Sequence, residues 1–273
     1  MLVNRYNFLR WDNGIEPVTI ESDLPNGYIR DASRCDYRPL LIPSEAMRFY
    51  INAPDGLGFT GMETFTLDLI KENGTLHEAD IAPLQVHSFT IDTIEYKTFY
   101  GEIVIIDGSV PAGNYFFRIM DGEDVKLTSN QVQVIKTGYL DYSAVAKFRH
   151  DSYFYGILYA DLAGFYQQFR LHLNVIDRQF EGDKEIYKEV TTGKRRTFNN
   201  QMDELVKVET YYFDKMAHEA AGVMFNHDEI FLNLKRYISK GTYKVNYEVT
   251  GKNYKGDIEL YKDEFSTANR CTG

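Results

Sequence analysis

Short runs in which apolar and polar residues alternate make up most of this chain. Between about Glu16 and Lys136 come "PVTIES", "EAMRFYINA", "TFTLDLIKENG", "LQVHSFTIDTIEY", "FYGEIVIID" and "PAGNYFFRIMDGEDVKLTSNQVQVI". Met47, Phe49 and Ile51 alternate, as do Phe65, Leu67 and Leu69, and again Tyr115, Phe117 and Ile119. A period of two places each set on one face of a strand. Asn73-Gly74 and Asp121-Gly122 read as hairpin turns, because those residue pairs tolerate the positive φ that such turns need. Val132 and Val134 alternate on the return strand.

Strands of this length, with turn signals every 8–12 residues or so, predict an antiparallel sandwich. The ending "PAGNYFFRI…SNQVQVI" looks like the last two strands of an immunoglobulin- or fibronectin-like domain. The first 14 residues, with Trp11 as the only tryptophan, show little periodicity. Two readings of this arm stay open: a first edge strand, since termini need tying down to be ordered, or an extension onto a neighbouring subunit. A boundary falls near "KTGYLDYS" (136–143). Beyond it "YQQFRLHLNVID" sets Phe169, Leu171, Leu173 and Val175 against Gln168, Arg170, His172 and Asn174, one face dry and one wet. "DKEIYKEV" and "KRRTFNN" flank Thr192-Gly193 as a hairpin. One helix is predicted, capped by Asp214, with Ala217, Ala220, Ala221 and Met224 in a stripe that Met216 and Val223 widen. The fold class expected is therefore mainly β: an arm (1–14), an immunoglobulin-like sandwich (15–136), and an α+β domain (137–273) with one helix packed on short antiparallel strands.

Composition narrows the partners. Tyrosine (21) exceeds phenylalanine (18), which suits half-buried strands and wet interfaces. The formal net charge of −10 disfavours general affinity for nucleic acid or for an anionic membrane. No apolar run reaches the roughly 18 residues of a membrane span. Arg5 and Arg10 interrupt the N-terminal apolar residues, unlike a secretory signal, so folding in a cytoplasm is the expectation. Cys35 and Cys271 are then expected to stay reduced.

Against this acidic background stands "TTGKRRTFNN" (191–200), with Lys194, Arg195 and Arg196 side by side. It is not a phosphate loop. Lys188 stands where the first glycine belongs, Arg195 where Ser or Thr belongs, and no helix follows. A solvated hairpin with Glu189 facing Arg196, a protein contact and a nucleic-acid patch remain as readings, the last disfavoured by the acidic setting. "HEAAG" (218–222) begins like a zinc-protease motif but has Gly222 where the second histidine must be. His218 is expected on the polar face of the helix, and His227 at its end, where the macrodipole tolerates a cation. Gly56, Gly58 and Gly61 match G-x-G-x-x-G literally, yet they precede a strand pattern rather than a helix. No catalytic residue, metal ligand or cofactor site emerges, and the expectation is a protein that is not an enzyme.

The segments "FRHDSYFYGI", "FYQQFRLHLNVIDRQF", "EIYKEVTTGKRRTF", "KVETYYFDKMAHEAAGVMFNHDEIFLN" and "IELYKDEFSTANRC" together resemble virion proteins of tailed bacteriophages and prophages of Bacteroidetes, including crAss-like phages. The resemblance covers most of 140–273 and, more loosely, the N-terminal sandwich. It implies a structural tail part (hub, ring, adaptor or baseplate component) assembled in a bacterial cytoplasm from copies of itself and neighbouring tail proteins. Ring subunits must offer two different faces to like neighbours. In that setting Lys194, Arg195, Arg196 and Trp11 are the expected interface residues. The rival expectation is a carbohydrate- or cell-surface-binding adhesin, which exposed aromatics at loop tips rather than at subunit seams would favour.

Overall fold

A computed structural model describes residues 2–3, 6–12, 37–54, 65–77, 85–91, 94–105, 110–136, 143–162, 164–246 and 254–266. The described residues are mainly β, with one α-helix, Lys215–Met224. The "PVTIES" strand, the 137–142 boundary, both cysteines and the three-glycine loop lie outside them.

In the N-terminal half, Gly113–Asp121 is the central strand of one group. Phe65–Lys71 pairs along one edge, and Asp124–Ser129 followed by Val132–Val134 pairs along the other. The Asp121-Gly122 turn closes with Asp121 opposite Asp124, and Gly122 takes φ 62°. Asn73-Gly74 likewise returns the chain onto Leu76–His77, with Gly74 at φ 87°. Both glycines stand where a side chain would strain the backbone. A second group pairs Ala46–Pro54 with Ile94–Val104, and the latter with Gln85–Ile91. The inward sets foreseen from period two are buried: Met47, Phe49 and Ile51 on one group, Tyr115, Phe117 and Ile119 on the other. Trp11 joins them, its ring 5.6 Å from Phe49 and 6.5 Å from Phe117.

The C-terminal half closes on itself. Ala144–Arg149 lies between Gln167–Leu171 and Glu229–Leu232. Glu229–Leu232 turns back onto Lys235–Ser239, which pairs with Tyr254–Ser266. That strand pairs with Arg195–Phe213, which pairs with Leu173–Lys188. Because Leu173–Lys188 continues Gln167–Leu171 past His172, the ladder returns to its start. Such a closed circuit removes free edges where it closes. The helix seals its interior. Asp214 caps it by accepting from the Ala217 N–H at 2.7 Å, and Ala217, Ala220, Ala221 and Met224 are buried as the stripe requires. Small side chains let the helix approach the strands closely. Gly256 serves the same end on the wall, since a Cβ there would run into the Tyr243 ring.

The two halves share strands and core. Gln168 lies opposite Arg48 and Arg170 opposite Leu40, and Val132–Val134 runs parallel to Leu40–Leu41. One hydrophobic cluster includes Phe8, Trp11, Phe49, Phe117, Phe169, Val208, Met224 and Leu260. The arm is part of it. Trp11–Asp12 pairs with Thr128 and Ser129, and Trp11 is completely buried within its own chain. Of the two readings of the arm, the described residues therefore follow the edge strand. Trp11 is corrected from an interface residue to a core residue: an indole in contact with Phe49 and Phe117 has no surface left for a neighbour.

The arm is held by polar contacts also. The Asn130 side chain accepts from the Arg10 N–H and donates to the Phe8 carbonyl. Arg10, 1% exposed, brings Nη2 to 3.8 Å from Asp214, while its Nε and Nη1 have no hydrogen-bond partner among the described residues. Asp214 also accepts from the Tyr37 N–H at 2.8 Å. Asp214→Ala is expected to remove the helix cap, worth about 1 kcal/mol, and to strand the buried guanidinium, for a total loss of about 3–5 kcal/mol of unfolding free energy. Arg10→Met should cost less, because Asp214 keeps two N–H donors. Urea unfolding of the two variants checks the order; equal costs would contradict it.

Candidate functional site

Two surface features stand out from the closed core: the long hairpin that carries "TTGKRRTFNN", and a short aromatic hairpin backed by a buried polar chain.

The long hairpin pairs Leu173–Lys188 with Arg195–Phe213 down to Lys188 opposite Arg195. Its turn closes through Glu189 N–H to the Lys194 carbonyl and Gly193 N–H to the Glu189 carbonyl, both 2.8 Å, with Gly193 at φ 69°. Glu189 thus stands across from Lys194, and Arg196 pairs with Tyr187. The expected Glu189–Arg196 pairing is off because the turn spans Val190–Gly193 and centres on Thr191-Thr192, one residue earlier than Thr192-Gly193. The Glu189 carboxylate instead accepts from the Thr192 hydroxyl. Lys194 and Arg195 are exposed, as are all of Thr191 to Gly193; the Arg196 side chain lies outside the described ones. Tyr254–Ser266 supports Arg195–Phe213 only as far as Asp203, opposite Ser266. Past that point the hairpin has two strands among the described residues. Seven residues of extended chain, 182–188, reach roughly 20 Å. Ile186 is 60% exposed on this ribbon and Val190 at its tip wholly so. At the root, Glu181 accepts from Lys240 at 2.6 Å and from the Tyr261 hydroxyl at 3.0 Å, and these two donors hold its carboxyl below the usual range.

The short hairpin, Tyr153–Phe154 against Ile157–Leu158, escaped the sequence reading. Its two turn residues are Tyr155 (φ 45°) and Gly156 (φ 91°). Positive φ at both is the type I′ pattern, in which a tyrosine is sterically disfavoured. Three anchors hold it there. The Asn52 amide donates to the Gly156 carbonyl, Thr98 orients Asn52 from 2.7 Å, and the Tyr50 hydroxyl lies 3.5 Å from the Tyr155 carbonyl. Tyr153 and Tyr155 are half exposed, and so is Tyr6, whose ring meets Tyr155 edge-on at 5.5 Å. The run "YFYG" was the available signal: successive aromatics ending at glycine cannot all face one core.

Beneath the tip a cavity of about 10 Å³ opens between Tyr6, Asn7, Phe154 and His227, room for about one water. A chain of hydrogen bonds lines it. Asn7 donates to Gln167 at 2.5 Å, Gln167 to the Tyr159 hydroxyl at 2.5 Å, and Tyr159 lies 3.0 Å from His227 Nε2. His227 Nδ1 faces the Val223 carbonyl at 2.9 Å and so carries the proton, leaving Nε2 to accept from Tyr159. Every link then runs one way, from the arm to the end of the helix. His227 is consequently a buried neutral base rather than a helix-end cation, and burial pushes its pKa down to about 4. His218 is likewise corrected from the polar face to the core. It is 2% exposed, with Nδ1 2.6 Å from the Tyr243 hydroxyl and Nε2 3.2 Å from the Tyr254 carbonyl. Burial lowers its pKa too, and lowers that of His172 to about 4.

Among the described residues no group of three or more His, Cys, Asp or Glu could hold a metal ion, and no helix is long and apolar enough to cross a membrane. Comparison of the chain with models of known protein families, with curated proteins and with solved structures finds no match.

The buried histidines set a pH dependence. Each is more basic in the unfolded chain than in the fold, so the unfolded state takes up protons first as pH falls. Their stabilisation is complete above about pH 6.5 and is lost progressively toward pH 4. Denaturation midpoints should fall across that window. His227→Gln should flatten part of the fall, and a wild-type midpoint constant from pH 6.5 to 4 would contradict the assignment.

Proposed function

We propose that the chain is a non-enzymatic structural subunit of a bacteriophage tail, joining copies of itself and neighbouring tail proteins into a ring as a hub, adaptor or distal-tail component. Assembly in a bacterial cytoplasm and residence in the virion tail belong to the same proposal, as does an immunoglobulin-like plan for the N-terminal strands. The observation that carries it is the ribbon beyond Asp203. Among the described residues no third strand pairs with the hairpin past Asp203; a two-stranded hairpin is at best marginally stable in water, and its edges invite pairing. A ribbon with an exposed apolar residue at its tip and cations beside it, on a subunit of net charge −10, is matched to an acidic neighbouring copy. Charge complementarity of that kind sets register and association rate. A ring also needs two unlike faces on each subunit, and the ribbon, with exposed Lys194 and Arg195 on a chain of net charge −10, supplies one.

Light scattering on the purified protein, together with electron microscopy of virions, tests the reading. A multimer in solution and a ring in the tail are expected. The double change Lys194→Glu and Arg195→Glu should abolish or strongly weaken assembly and leave the circular dichroism and melting temperature of the monomer nearly unchanged, since both side chains are exposed. A chain that is monomeric at every concentration and absent from particles would sink the proposal.

The adhesin reading is kept as a second one for a single observation: the half-exposed tyrosines sit at a loop tip, away from the ribbon's turn in the sequence and anchored by different strands.

A further inference from the structure

We infer that the Tyr153–Leu158 hairpin and Tyr6 form a stacking site for a neutral carbohydrate, with Asp151 and Asp228 on its rim. The inference rests on the adhesin reading and is independent of ring formation. Three properties of the tip lead to it.

The rings are open and held ready. Tyr6, Tyr153 and Tyr155 are 44%, 49% and 51% exposed, although a hydrophobic core lies directly beneath them. Phe154, between two of them in sequence, turns inward and stacks on His150 at 4.5 Å with the rings 6° from parallel. The turn is fixed in a disfavoured conformation by Asn52, Thr98 and Tyr50, which belong to the other half of the chain. Backbone held in a sparsely populated region by surrounding contacts is characteristic of binding sites, where it removes the ordering cost from the binding step.

The patch has the size of a small ligand. A fully covered aromatic side chain buries about 150–250 Å². Three half-open rings therefore offer about 300 Å², well below the roughly 800 Å² per partner of a standard specific protein interface. Tyr6 and Tyr155 meet at 67°, which makes a corner with one ring at the edge of the other. A pyranose presents an apolar C–H face of similar size to a tyrosine ring and a polar edge of hydroxyls, so it can lie on one ring and still reach acceptors beside it.

The rim selects the charge. Asp151 and Asp228 are both exposed; the Asp151 backbone N–H donates to the Asp228 carboxylate at 3.0 Å, and Asp228 reaches the hairpin's base through His150, whose ring stacks on Phe154. Carboxylates accept hydroxyl protons well and repel uronate, sulfate or phosphate groups. His150, 3.2 Å from Asp228, is the titratable group facing them. The rim thus favours an uncharged glycan over an acidic one.

The test uses the full chain, with maltohexaose, cellohexaose, mannohexaose and chitohexaose as probes and hexalysine as the competing class. Saturation-transfer NMR and calorimetry should detect at least one oligosaccharide. Tyr155→Ala and Tyr6→Ala should each weaken it about ten-fold, equivalent to about 1.4 kcal/mol, while Tyr155→Phe keeps most of the affinity. Should Tyr155→Ala disturb folding, Tyr6→Ala, which leaves the Tyr155-Gly156 turn untouched, decides. Binding of hexalysine alone, or sugar binding indifferent to both tyrosines, would overturn the site; in the latter case the adhesin reading survives elsewhere on the surface. Absence of binding to all four sugars and to whole bacterial cells overturns both. Loss of the oligomer in Tyr6→Ala would make the tip a subunit seam and also end the inference.

Discussion

Asp214 is the point at which three separate stretches of chain meet. One carboxylate caps the only helix among the described residues, accepts the Tyr37 N–H and faces the buried Arg10 guanidinium. Two buried charges cost several kcal/mol each to remove from water, so they are tolerable only together and with hydrogen bonds around them. The geometry that satisfies them fixes the helix start against the N-terminal arm. Once that is set, the helix packs on the closed C-terminal ladder, and Trp11, next to Arg10 in the chain, is set against Phe49 and Phe117. Breaking the cluster would loosen the arm, the helix and the junction between the halves at once.

The far end of the helix is tied by a different device. Asn7, Gln167, Tyr159 and His227 pass hydrogen bonds in one direction to the Val223 carbonyl. Such a chain works only with a neutral imidazole, which burial enforces. Arm and helix are therefore joined twice, by charge at one end and by neutral donors and acceptors at the other. Both ties lie in the interior. What remains outside is the ribbon and the tyrosine tip, and each carries features that a solvated loop has no reason to keep: apolar and cationic residues on a hairpin that is two-stranded among the described residues, and half-exposed rings at and beside a strained turn.

Much of the strand plan was legible in the chain. Alternation marked the buried sets around Phe49, Phe117 and Phe169, the Gly-containing pairs marked two turns, and Asp214 with the alanine stripe marked the helix. These signals are local, because side-chain parity, positive φ and capping involve residues a few positions apart. The failures were of the opposite kind. His218 and His227 look like surface residues in any local window, and Trp11 looks like a spare aromatic on a loose arm. Their burial depends on Tyr243, Tyr159 and Phe49, partners distant in sequence. The hairpin was found, but its turn centres on Thr191-Thr192, one residue before the expected Thr192-Gly193, since the turn's own hydrogen bonds determine where it closes.

By itself, then, the sequence determined that the chain is mainly β with one α-helix, where two of its glycine turns fall, and that a cationic hairpin stands on an acidic protein. Only the tertiary structure decided that the C-terminal strands close into a circuit, that among the described residues the hairpin runs on as two strands past Asp203, and that three tyrosines are half exposed around one hairpin. The reason is physical. Periodicity and turn chemistry are properties of neighbouring residues, whereas closure, protrusion and exposure depend on which distant strand ends where, and nothing local records that.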